Sequence, residues 1–77
     1  MITSGQIKAA RALVGWTARD LAANAEIGFS TLIRLESANG VPSGNIKTID
    51  AVKKALEEAG VEFIGTPDSQ AGVRWQK

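Results

Sequence analysis

The chain has 77 residues and a formal charge of +1, with 9 Lys and Arg against 8 Asp and Glu. That length holds one compact domain whose single core supplies only a few kcal/mol, so helix caps and partner subunits are expected to matter. Neither Cys nor His is present, which removes disulfides, thiolate metal sites and the commonest acid–base and nucleophilic groups, so no enzyme, cofactor or metal is expected.

The opening Met1-Ile2-Thr3-Ser4 lacks the basic and then apolar pattern of a leader, and no later run approaches membrane-spanning length. The expectation is a complete, soluble, cytoplasmic chain. A small net charge is neutral on nucleic acid, because a binding face needs local positive charge.

Apolar residues follow a helical period to about Ala59. The first helix opens with a capping box, Thr3 as N-cap and Gln6 three residues on. Ile2 and Ile7 stand where a hydrophobic staple would close. Its apolar stripe is Ile7, Ala10, Leu13 and Val14, and Gly15 suits a left-handed stop. The second helix repeats the device. Thr17 is the N-cap, Asp20 closes the box and Trp16 with Leu21 forms the staple; the helix then runs Ala18 to Ala25 with Leu21, Ala22 and Ala25 on one face.

Only Glu26-Ile27-Gly28 separates it from a third helix, from Phe29 to about Ser37. Gly28 is the N-cap and Ile27 with Leu32 the staple. Leu32 and Leu35 should face inward, leaving Ser30, Ile33, Arg34 and Ser37 outside at 100° per residue. Residues 38–44 read as loop. A fourth helix begins near Asn45, with Ser43 the other cap candidate, and carries Ile46, Ile49, Val52 and Leu56 as its stripe before stopping at Ala59-Gly60. Val61-Glu62-Phe63-Ile64 and Val73-Arg74-Trp75-Gln76 then read as two short strands around a polar loop. The expected architecture is mainly α: residues 1–60 as four helices, and residues 61–77 as a C-terminal β-hairpin extension.

Two short helices joined by about three residues are what a helix-turn-helix requires. Between Thr17 and Glu36 the sequence resembles the phage repressor/Cro-like (XRE-type) family of transcriptional regulators. Leu21-Ala22, Ala25, Ile27, Leu32 and Leu35 match its hydrophobic and small positions, and the likeness covers most of residues 2–60. The segment from Ala55 to Ile64 also looks like the tail of short bacterial regulators of this group. Three positions depart from the pattern: Glu26 stands where Gly is usual, Gly28 where Ser or Thr caps the third helix, and Ala18 where a phosphate-binding Gln is common.

The resemblance implies a compact four-helix, lambda-repressor-like DNA-binding domain with the third helix in the major groove of double-stranded DNA. It assigns base contacts to Phe29, Ser30, Thr31, Ile33 and Arg34. Arg34 is the best suited to direct readout, because its fork can donate twice to guanine. For Phe29 the competing expectation is packing against a neighbouring helix or subunit. Phosphate contacts fall to Thr17 and Arg19, and to a second cluster of Asn39, Asn45 and Lys47. Arg11 and Glu36 match a structural ion pair between the first and third helices.

A homodimer reading two half-sites is the family's usual arrangement, and Phe63, Val73 and Trp75 are the expected anchors of a hairpin interface. The competing expectation is that the hairpin merely covers its own core. Two rival functions stay open: a protein-interaction module on the same scaffold, suggested by apolar Phe29 and Ile33 and by Ala18, and an antitoxin-type subunit that also holds a toxin.

Overall fold

The computed structural model describes residues 2–42 and 44–76, so Ser43, the alternative cap for the fourth helix, lies outside the described residues. Four helices, α1 (Ser4–Val14), α2 (Ala18–Ala25), α3 (Phe29–Ser37) and α4 (Ile46–Glu58), are followed by an antiparallel hairpin of β1 (Val61–Thr66) and β2 (Ser69–Trp75). The result is a helix-rich fold closed at one end by the two strands. No helix among the described residues is long and apolar enough to cross a membrane.

The helix ends follow from local chemistry. Thr3 Oγ1 accepts from the Gln6 N–H at 3.0 Å while Gln6 Oε1 accepts from the Thr3 N–H at 2.8 Å, the reciprocal pair that satisfies two otherwise orphaned donors. Thr17 and Asp20 do the same for α2, at 3.1 and 2.9 Å. Both helices stop with the six-to-one bond of a left-handed terminus, Trp16 N–H to Arg11 O and Ile27 N–H to Ala22 O. The left-handed residue is Gly15 in α1 but Glu26 in α2, with φ of 58°. For a residue with a Cβ that backbone costs on the order of 1 kcal/mol.

One core unites all elements: Ile2, Ile7, Ala10, Leu21, Leu32, Leu35, Ile49, Val52, Leu56 and Val61 are each buried in it. Two residues expected there lie outside. Leu13 is 44 % exposed, because it sits about 120° round the helix from Ile7, at the border of the stripe, whereas Val14 falls back over Ile7 and is half-buried. Ile46, the first residue of α4, is 62 % exposed, at the end of the stripe whose next member, Ile49, is buried.

The hairpin is longer than the expected four-residue strands, and its loop is only Pro67-Asp68. The ladder pairs Val61 with Trp75, Phe63 with Val73 and Ile64 with Gly72, then slips by one residue before Thr66 meets Ser69. This bulge is what continues the pairing through a polar segment that reads as loop. Gly65 is required there: its φ is 77°, and a Cβ would lie 2.1 Å from the Gln70 carbonyl oxygen. Gln76 has left the strand, although its N–H still donates to the Gly60 carbonyl at 2.8 Å.

The hairpin is also part of the body it follows in sequence. Phe63 and Val73 pack against the helical core and Val61 is inside it. Gln6, buried in α1, donates through Nε2 to the carbonyls of Ile64 at 3.0 Å and Gly72 at 2.8 Å.

Candidate nucleic-acid interface

The short turn between α2 and α3 fixes which residues face out. Leu21, Ala22 and Ala25 from α2 and Leu32 and Leu35 from α3 are buried. Glu36 is buried as well, and the other positions of α3 point away from the core: Ser30 and Arg34 are exposed, Ile33 is 40 % exposed, Phe29 37 % exposed and Thr31 half-buried. All five expected base-contact residues therefore share the first turn and a half of one helix. Gly28 opens that helix without any side-chain cap. Arg34 makes neither an ion pair nor a side-chain hydrogen bond among the described residues, whereas Ser37 is turned back on the Ile33 carbonyl at 2.7 Å.

The expected phosphate contacts divide into two kinds. Thr17 is exposed, but its hydroxyl and N–H are both engaged with Asp20. The Thr17 backbone N–H, and after it the Thr17 side chain, hold the Asp20 carboxyl below its ordinary pKa. Arg19, next to it, is exposed and free of carboxylate partners among the described residues. Its guanidinium carbon lies 4.3 Å from the centre of the Phe29 ring. In the sequence these two residues carry different expected roles, and nothing local pairs them. The turn length and the two N-terminal positions were visible, but the fold angle that brings them together was not. Asn45 caps α4 by accepting from the Lys47 N–H at 2.8 Å, and both residues, with Asn39, are exposed.

Behind this surface, Arg11 reaches from α1 to Glu36 on α3 through two parallel bonds, Nε to Oε2 at 2.8 Å and Nη2 to Oε1 at 3.0 Å. A third donor, Nη1, lies 3.3 Å from the Trp16 carbonyl. Glu36 is buried and Arg11 half-buried, so this planar fork sets the relation of α3 to α1. Ser4 adds a second tie, its hydroxyl donating to the Leu35 carbonyl at 2.6 Å. Neither Ser4 nor the amide of Gln6 stood out in the sequence beyond the capping box, since their partners are 31 to 66 residues away.

Of the expected interface anchors at the hairpin, Phe63 and Val73 are half-buried against the protein's own core, while Trp75 is 43 % exposed. No protein-family model and no curated protein matches this chain.

Proposed function

We propose that this chain is a small transcriptional regulator of the repressor/Cro-like kind, with α2 and α3 forming a helix-turn-helix that binds double-stranded DNA. The observation that carries the reading is the outer face of α3. Two helices separated by three residues are locked by buried Leu21, Ala22, Ala25, Leu32 and Leu35, and this leaves Ser30 and Arg34 projecting with no intramolecular partner among the described residues. In this reading α3 enters the major groove, Arg34 reads a guanine edge, and Arg19 with Lys47 meets phosphates.

Selection of bound sites from a random duplex pool tests this directly. A two-fold symmetric site with half-sites about 34 Å apart is expected for a homodimer, with Trp75 and the open hairpin edges as its contact. A single half-site removes the dimer from the proposal. Affinity for the selected site should fall with salt at a log–log slope of roughly 0.9 per phosphate contacted. Arg34→Ala should cost about 1–3 kcal/mol of discrimination at one base position, and Arg19→Ala should weaken all sequences alike and reduce the salt slope by about one. Failure of the wild type to bind any duplex overturns the reading.

The exposed rings and methyls of Phe29 and Ile33 support a second reading, in which the same face takes a protein partner such as a toxin. Binding that ignores salt would favour it.

A further inference from the structure

Phe29 sits on the surface assigned to base reading, yet one face of its ring is already occupied. The Arg19 guanidinium lies over it at 4.3 Å, close enough for attraction between the cation and the ring's negative face. We infer that Phe29 is a positioning residue: it holds Arg19 at the DNA surface for a phosphate, and does not itself select a base. This inference rests on the DNA-binding reading above.

Three observations point the same way. Arg19 has no carboxylate partner among the described residues, and its nearest acidic neighbour in sequence, Asp20, has its carboxylate accepting from the Thr17 N–H. The ring is therefore the contact that orders an otherwise free, long side chain, whose rotamer entropy would be lost on binding. Contact with the ring face draws on the charge of the guanidinium and takes up none of its N–H donors, which stay available to phosphate oxygens. Finally, Arg19 and Phe29 belong to α2 and α3 respectively. The contact thus spans the turn and ties the phosphate-facing group of one helix to the start of the other. A phosphate anchor fixed in this way sets the register of α3 in the groove.

The test combines a free-protein measurement with a binding cycle. In the NMR spectrum of the wild type, the Arg19 Hδ protons should be shifted upfield by the ring current, and Phe29→Leu should abolish the shift. Absence of the shift in the wild type overturns the inference. On the selected duplex, Phe29→Leu should weaken binding about two- to five-fold for every sequence alike. Phe29→Trp should restore most of that loss. In the Arg19→Ala background, Phe29→Leu should have no further effect. If the two substitutions multiply independently, or if Phe29→Leu changes which bases are preferred, Phe29 reads bases or merely packs, and the inference falls alone. If the wild type shows no salt-dependent duplex binding, the DNA-binding reading falls and the inference with it.

Discussion

The joint between α1 and the hairpin and the outer face of α3 spend their polar groups in opposite ways. At the joint and the neighbouring α1–α3 contact, Ser4, Gln6, Arg11 and Glu36 are each hydrogen-bonded within the chain, and no described buried side-chain nitrogen or oxygen lacks a partner. On α3, Ser30 and Arg34 face solvent without such bonds among the described residues. A small domain has little stability to spare. It places satisfied polar groups where they orient elements, and leaves unsatisfied ones only where water, or a ligand in its place, can reach them.

Gln6→Ala should break this contrast most sharply. The substitution removes two bonds to the hairpin and one arm of the α1 capping box. With about 0.5–1.5 kcal/mol per bond and a vacated space at the joint, a loss of about 2–3 kcal/mol is expected. For a domain of this size that lowers Tm by roughly 10–20 °C. Arg34→Ala, by contrast, should leave Tm within the range of a neutral surface change, about 0.5 kcal/mol or less. Thermal melts of the two variants side by side check the pair. A stable Gln6→Ala protein would mean that the apolar contacts of Val61, Phe63 and Val73 hold the hairpin without it.

The helical half of this architecture was legible because its signals are local. Thr3 with Gln6, Thr17 with Asp20, Gly15 and the helical spacing within each stripe, Ile7 with Ala10, Leu21 with Ala25, Leu32 with Leu35 and Ile49 with Val52 and Leu56, each act within a turn or two of helix. Arg11 and Glu36 were paired by family likeness, and the structure brings them together. What escaped was non-local or marginal. Leu13 and Ile46 carry apolar side chains at the edge of the spacing, where only the third dimension decides burial. The strand ends were hidden by Gly65 and Gln70, whose left-handed backbones build a bulge that composition reads as loop. The hairpin's attachment through Gln6 depends on how distant elements come together, and the contact of Arg19 with Phe29 on the angle at which α2 and α3 meet.

Glu26 offers a smaller effect that sharpens the comparison from the other side. It ends α2 in the left-handed region, where its side chain is exposed and its backbone N–H closes the helix on Ala23 at 3.2 Å. Glu26→Gly keeps that bond and relieves the backbone strain, against the larger unfolded-state freedom of glycine. The net expectation is a gain of about 0.5–1 kcal/mol in a denaturant titration, with no change in m-value. A loss would show that the Glu26 side chain makes a contribution of its own at the turn.

The smallest effect is a pH dependence at the start of α2. The Asp20 carboxylate accepts from the Thr17 N–H, and its pKa in the folded protein is lowered for that reason. A carboxyl whose folded pKa lies below its unfolded value binds fewer protons when folded, so stability rises with pH between the two values. Its contribution is therefore complete above the ordinary aspartate range and disappears as pH falls through the lowered folded value. Asp20→Asn removes the charge but keeps an oxygen able to accept from Thr17. The melting temperatures of variant and wild type should thus differ most near neutrality and converge in acid. The exposed position of the pair keeps the difference small. A constant gap across the same pH range would mean that shape and hydrogen bonding, not the carboxylate charge, close this end of α2.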